Sequence, residues 1–469
     1  MNIIKVFGQL LFVSIIILLF SSCNKGFKGN DYSAYFGGEI INPTHRYVLF
    51  CKDSEVLDTI ALQKNNTFFI KFDSLASGLY TFRYDPEFQY VYFDKNDSLM
   101  VRINPKDFDE SIVFCGRGDQ KNNFLMEMYL KNETDKNKML PIFDYEIDKF
   151  SATIDSSYKL DEQFYLTKKK KIKWNEAFDA YARALIDFHY YSKKEIYPKI
   201  HKLQTGEDNF DKLPKNYYDY RKNIDFNNVK LTTFSPFVVY LTNLLNNLAE
   251  IKDHNHYNAI DKALNSNINK LNIADTLLKN ERVKNAVFNT IAFNYLLEDQ
   301  NMVNDQAFLE TYRKYSTDKS AKNEILKIGH AIQLLKPGNK LPEVKLIDLN
   351  GQIVSSNSLL KKKTVIFFYT ENAETNLASA HKKAIAFKLR HPDYQFIAIN
   401  LDANQTKWKE LLSKYKFGDI QEYRCNNFEN LRAKWAITKI NRTIILNKNE
   451  IINNAFANLF ETNFEDFLK

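Results

Sequence analysis

Residues 364–375, TVIFFYTENAET, are where this chain would be expected to do chemistry. The apolar run 365–369 stops abruptly at polar residues that read as a helix start. A buried strand feeding a helix N-terminus is where α/β folds place reactive groups, because free backbone N–H groups and the helix dipole favour negative charge there. Thiol exchange at such a tip requires a thiolate whose pKa the tip lowers. No cysteine stands in this stretch. The chain has four cysteines, Cys23, Cys51, Cys115 and Cys425, and none forms CxxC. Cys51 and Cys115 fall in strand-like text. A bond between them needs Cα atoms within about 7 Å, and two buried thiols on separate strands are expected instead. Cys425, followed by Asn426 and Asn427 near the end of a strand, is expected to be an inert packed thiol. His254 and His256 sit two apart, which puts them on different sides of a helix, so no metal is expected. His189 reads as a satisfied helix histidine, and His381 as a solvated residue of the helix after 372 rather than a groove-facing one. No GxSxG, P-loop, GxGxxG or HExxH motif occurs.

The elements around these residues change character along the chain. A length of 469 residues suggests about three domains. From 36 to 118 the text is β-like. Runs at 47–51, 67–72, 79–84, 90–93 and 99–103 are β-branched or aromatic, and turn signals separate them at Asn65-Asn66, Ser77-Gly78, Asp85-Pro86 and Asn96-Asp97. This predicts a small antiparallel sandwich or meander. From 119 to 335 the apolar period becomes helical. Phe178, Ala182 and Leu185 recur at helical steps, as do Phe237, Tyr240, Leu241, Leu244, Leu245 and Leu248, and Val283, Val287, Ile291 and Tyr295. Ser235-Pro236 reads as an N-cap and N1 pair, and breaks are expected at Pro198, near Gly206 and at Pro214. No fixed-period repeat is present, which argues against a solenoid. Lys336-Pro-Gly-Asn-Lys-Leu-Pro342 marks the clearest boundary. Residues 336–469 then read as a hairpin-like piece at 344–354, βαβα with a right-handed parallel crossover, and ββα.

That order, with LPEVKLIDLNGQIVSSNSLLKKKTVIFFYT, resembles the thioredoxin-like domain of envelope thiol-disulfide reductases and peroxiredoxin relatives. The resemblance covers residues 336–469. Joined to the strand-like and helical patterning before it, this gives a multidomain α+β chain: an N-terminal antiparallel β domain (36–118), a central mostly helical domain (119–335) and, as the resemblance implies, a C-terminal α/β thioredoxin-like domain (336–469). In the reductases, the threonine before the site is followed by an aromatic residue and Cys-x-x-Cys. Counting from Thr370 puts Glu371 at the aromatic, Asn372 at the first cysteine and Thr375 at the second. Asn372 is expected to cap the helix, for about 1 kcal/mol, and Glu374 to suit the helix dipole while opposing any nearby thiolate. The family's cis-proline position falls on Asn441, where a trans bond is expected. The redox motif is degenerate and no cofactor is implied.

Residues 1–23 resemble a bacterial lipoprotein signal: Lys5, an apolar stretch at 10–20 too short for a comfortable membrane span, then Ser21, Ser22 and Cys23. The signal peptide is expected to be 1–22, with lipid on Cys23 and a polar tether at 23–35. The segments GGEIINP, DTIAL, FQYVYFDKNDSL and FDESIVFCGRGDQKNNFL resemble a β domain of Bacteroidetes envelope lipoproteins. The residues after Cys23 have no acidic cluster resembling a surface-export tag, which favours the periplasmic face. Asp58-Thr-Ile60, Asp73-Ser-Leu75, Asp97-Ser-Leu99 and Asp275-Thr-Leu277 resemble short O-glycosylation signals of that phylum. Net charge is +8, but 65 basic and 57 acidic residues are interspersed. The one dense basic run, 168–171, reads as a solvated helix face, so no nucleic-acid partner is expected. The reading is of a redox-inactive, membrane-anchored envelope lipoprotein that binds or scaffolds an unidentified envelope protein or peptide. Its rival is an unconventional thiol oxidoreductase or peroxidase, and a third option is a sugar platform built from Tyr84, Phe88 and Tyr90.

Overall fold

The computed structural model describes residues 33–43, 45–53, 55–84, 87–253, 262–298, 302–370, 374–402, 404–418, 420–437, 442–461 and 463–469. Eight strands open the chain: β1 (Ala34–Ile40), β2 (Tyr47–Lys52), β3 (Glu55–Ala61), β4 (Thr67–Phe72), β5 (Gly78–Tyr84), β6 (Glu87–Phe93), β7 (Ser98–Ile103) and β8 (Val113–Arg117). They form two four-stranded sheets, ordered β4-β1-β7-β8 and β3-β2-β5-β6. Alternating apolar residues from both sheets, among them Phe36, Phe50, Phe82, Leu99 and Phe114, share one core. The expectation of an all-antiparallel domain fails at one place: β1 and β7 pair in parallel, Phe36 opposite Leu99. The whole second sheet intervenes in sequence, so the chain re-enters beside β1 in the same direction. The tether also ends earlier than expected, since Ala34 and Tyr35 already lie in β1, while Cys23 and 24–32 fall outside the described residues.

Helices follow: α1 (Asp119–Met139), α2 (Ile147–Ile172), α3 (Glu176–Thr205), α4 (Ser235–Asp253), α5 (Lys262–Leu277), α6 (Glu281–Glu298), α7 (Met302–Tyr315) and α8 (Lys319–Leu334). The stripes read from sequence are buried, including Phe178, Ala182 and Leu185 on α3 and Val283, Val287 and Ile291 on α6. Pro198 does not break its helix. α3 runs through it to Gly206, whose φ of 78° ends the helix. Buried side chains on both sides of the proline, Phe188 and Tyr197 before it and His201 after it, hold the helix together against a penalty of about 3 kcal/mol. Ser235 is the first residue of α4, and its N–H donates to the hydroxyl of Tyr90 on β6, at 2.8 Å. That hydroxyl donates in turn to the Thr233 carbonyl. Tyr90 therefore joins sandwich to helices, and Tyr84 is buried, so the aromatic platform is not formed. Lys168 and Lys169 pair with Glu127 and Asp179. Among the described residues no helix is long and apolar enough to cross a membrane.

The last part is a seven-stranded sheet: β9 (Lys345–Ile347), β10 (Ile353–Ser355), β11 (Lys363–Tyr369), β12 (Tyr394–Asn400), β13 (Gln421–Cys425), β14 (Arg442–Leu446) and β15 (Ile452–Asn458), in the order β10-β9-β13-β12-β11-β14-β15. Its helices are α9 (Glu374–Arg390), α10 (Gln405–Tyr415) and α11 (Phe428–Trp435). The hairpin, the parallel β11–β12 pairing and the closing ββ unit match expectation, while β13 and α11 stand between the expected βαβα and ββα pieces. One sheet face (Val365, Phe367, Tyr369, Phe396, Ala398) packs with residues of α9 and α10. The other (Ile366, Phe368, Ile397, Ile399, Ile444) belongs to a core that runs without a break into the helices α3 to α8.

Candidate functional site

Position 372, where the first redox cysteine would stand, lies outside the described residues, as do Glu371, Asn441, His254 and His256. α9 begins at Glu374 and contains Thr375. Next to Asn441 in sequence stands Arg442, buried at the start of β14. Its guanidinium donates to the carbonyls of Ala455 and Ala436 and lies over the Phe456 ring.

The described residues behind the helix start form a closed polar chain. Tyr369, the last residue of β11, is fully buried. Its hydroxyl receives the indole N–H of Trp408 on α10 at 2.8 Å and donates to Glu422 Oε2 on β13 at 2.7 Å. The second carboxylate oxygen lies 2.9 Å from His381 Nε2. His381 Nδ1 lies 2.7 Å from the carbonyl of Leu377, one turn earlier in α9. A carbonyl only accepts, so Nδ1 carries a proton, and the contact of Nε2 with Glu422 is a hydrogen bond whose proton belongs to one of the two groups. Burial, reinforced by the charge and hydrogen bond of Glu422, pushes the Tyr369 phenol far above its ordinary pKa, so it serves as a donor and not as a base.

This corrects the expectation for His381, which is 0% exposed rather than solvated. Leu377, Ala380, Ala384 and Phe387 mark the buried stripe of α9, and position 381 lies within it. Phe417 stacks on the imidazole, with centroids 3.7 Å apart. The helical period of α9 was a usable signal for His381. Nothing in Gln421-Glu-Tyr-Arg marked Glu422 as its partner. The arrangement locks β11, β13, α9 and α10 together. Among the described residues, each polar tip of this cluster is engaged by another member or by the Leu377 carbonyl.

The thiols are placed separately. Cys51 is buried in β2 and Cys115 lies on β8, in the other sheet, and neither is in a disulfide. Cys115 is exposed rather than buried as expected. β8 is an edge strand, and its inward position is taken by Phe114. Cys425 ends β13, is 4% exposed and belongs to the core shared with the helices. Burial pushes its thiol up to about 11.

No protein-family model and no curated protein matches this chain. Among solved structures, it is similar to a thioredoxin-like protein from Bacteroides caccae, at 16% identity and TM-score 0.36, covering 59% of this chain and 92% of that one. It is also similar to the thioredoxin domain of a thiol-disulfide oxidoreductase from Bacteroides vulgatus, at 15% identity and TM-score 0.25, covering 29% of this chain and 99% of that one. A domain named as that of a possible thiol-disulfide isomerase from Cytophaga hutchinsonii matches at 20% identity and TM-score 0.26, covering 29% and 91%. The fold itself follows from strand pairing. β11 runs parallel to β12 through the α9 crossover, β14 lies antiparallel on the other side of β11, and β15 is antiparallel to β14. With the order β12-β11-β14-β15 and α9 opening directly after β11, the C-terminal region has a thioredoxin-like fold.

Proposed function

We propose that this chain is a redox-inactive, thioredoxin-like binding or scaffold protein of the cell envelope. It is anchored by lipid on Cys23, faces the periplasm and engages an envelope protein or peptide. The observation that carries this reading is the location of sulfur. The four cysteines of the chain leave residues 364–375 without one, and the single thiol of the C-terminal region, Cys425, is 4% exposed. A thiol held near 11 is almost wholly protonated at neutral pH and is a poor nucleophile. The continuous core between the thioredoxin-like sheet and the helices also favours a fixed presenting surface over a free-swinging electron carrier.

Insulin reduction and peroxide consumption by the purified protein are expected to stay at the buffer rate. Activity above that rate, lost in Cys425→Ser, would reject the scaffold reading in favour of an unconventional oxidoreductase. Thiol titration with a chromogenic disulfide gives a second check. Cys115 is expected to react in the native protein, and Cys425 to react more slowly by at least an order of magnitude, since it is buried and each unit by which its pKa is raised cuts the thiolate fraction about tenfold. Metabolic labelling with palmitate, lost in Cys23→Ala, tests the anchor. Cross-linking and capture from solubilised envelope tests for the partner.

A further inference from the structure

A second buried histidine, far from the thioredoxin-like sheet, is arranged differently. Among the described residues, Glu146, His201 and Glu207 are the one trio of histidine, cysteine or acidic side chains whose ligand atoms all lie within 4.8 Å of one another. His201 stands in the last turn of α3 and is 1% exposed. Its Nδ1 lies 2.8 Å from the Phe143 carbonyl. Because that oxygen can only accept, Nδ1 holds the proton and Nε2 presents a lone pair. Nε2 is buried and has no hydrogen-bond partner, a condition folded proteins seldom leave uncompensated. The ring is also held in place. Tyr197 lies 5.2 Å from it, and Phe150 stacks on Tyr197 at 4.0 Å.

The two carboxylates reach this nitrogen from separate elements. Glu146 is the N-cap residue of α2, yet its side chain makes no capping bond. Glu207 follows Gly206, whose left-handed backbone (φ 78°) turns the chain out of α3. Lys212 lies 3.4 Å from Glu207 Oε2, but both partners are more than half exposed, so the pair is a weak competitor.

We propose that Glu146, Glu207 and His201 Nε2 form a binding site for one divalent transition-metal cation of the Zn2+ type. A ligating imidazole that donates its other N–H to a backbone carbonyl is the usual outer-shell arrangement of such sites. Two carboxylates balance the charge of a divalent ion. The imidazole nitrogen favours Zn2+ and its neighbours over Ca2+ or Mg2+, which take oxygen. The exposed glutamates leave room for water as a fourth ligand. Bound metal would tie the start of α2 to the end of α3.

The test is calorimetry and equilibrium dialysis of Zn2+ alone against the full chain, after chelator treatment. One equivalent is expected to bind, with affinity at least tenfold weaker in Glu146→Gln or Glu207→Gln and background binding in the double variant. The wild-type melting temperature is expected to rise on Zn2+ addition, and that of the double variant to stay put. Both glutamates are exposed, so circular dichroism should show unchanged folding. The chain has eight histidines, and the double variant separates this site from scattered binding. Equal Zn2+ stoichiometry and affinity in wild type and double variant would overturn the proposal. No binding by the wild type, or preference for Ca2+ over Zn2+, would also overturn it.

Discussion

His381 and His201 begin from the same chemistry and end differently. Each is almost wholly buried, and each directs Nδ1 at a backbone carbonyl, Leu377 in one case and Phe143 in the other. That contact sets the same tautomer in both. At His381 the Nε2 atom meets Glu422, a carboxylate only 7% exposed, which is itself held by Tyr369. At His201 the Nε2 atom meets no protein partner, and the nearby carboxylates are on the surface. The first cluster is satisfied by protein groups alone. In the second, a buried nitrogen without a hydrogen-bond partner lies within 4.8 Å of two carboxylate oxygens. A buried histidine is therefore informative mainly through what its second nitrogen faces.

Substitutions can break this contrast. The largest effect is expected for Glu422→Ala, which leaves the His381 Nε2 without its hydrogen-bond partner and the Tyr369 hydroxyl without its acceptor. Breaking a buried pair of this kind costs about 3–5 kcal/mol, read from urea unfolding. Glu422→Gln sharpens the result. Its carbonyl can still accept from Tyr369 and its amide can donate to a neutral imidazole, so a loss below about 1.5 kcal/mol is expected. A loss as large as that of the alanine variant would instead require the proton of the His381–Glu422 hydrogen bond to sit on His381.

Tyr369→Phe is expected to cost about 1–3 kcal/mol near neutral pH, since it deprives Trp408 of its acceptor and Glu422 of a donor. It also carries a pH signature. Burial raises the folded-state pKa of this phenol above its unfolded value of about 10. The folded state thus binds more protons at high pH. The contribution is complete below about pH 10 and is lost as pH rises further. The alkaline decline in wild-type stability should be steeper than that of Tyr369→Phe, by at most about 1.4 kcal/mol per pH unit. Parallel slopes would show that Tyr369 ionises freely. The smallest effect is expected at the open cluster. Without metal, Glu146→Gln and Glu207→Gln should each change stability by less than about 0.5 kcal/mol, because both are exposed.

The same division governs how much could be read from sequence. Strands β11 and β12 were legible because unbroken apolar text is what a strand covered on both faces requires. The helical stripes of α3, α4 and α6 were legible because their spacing repeats locally. Pro198 misled because local propensity is outweighed when buried contacts lie on both sides of it. His381 was misassigned because a histidine in a helix is ordinarily solvated, and its partner lies on β13, beyond β12 and α10. Glu146 and His201 escaped notice for the same reason, since they meet only when α2 and α3 pack side by side.

What the sequence determined by itself is chemical and local. It places no sulfur at the tip of α9, it marks most strands of the C-terminal sheet, and it separates a β-rich region from a helical one. Those properties depend on residue type and short-range periodicity, which chain order preserves. Only the tertiary structure decided which polar tips are satisfied. Whether Nε2 of a histidine bonds to a carboxylate, or only lies near two of them, depends on residues far apart in sequence, and burial turns that meeting into an energetic requirement.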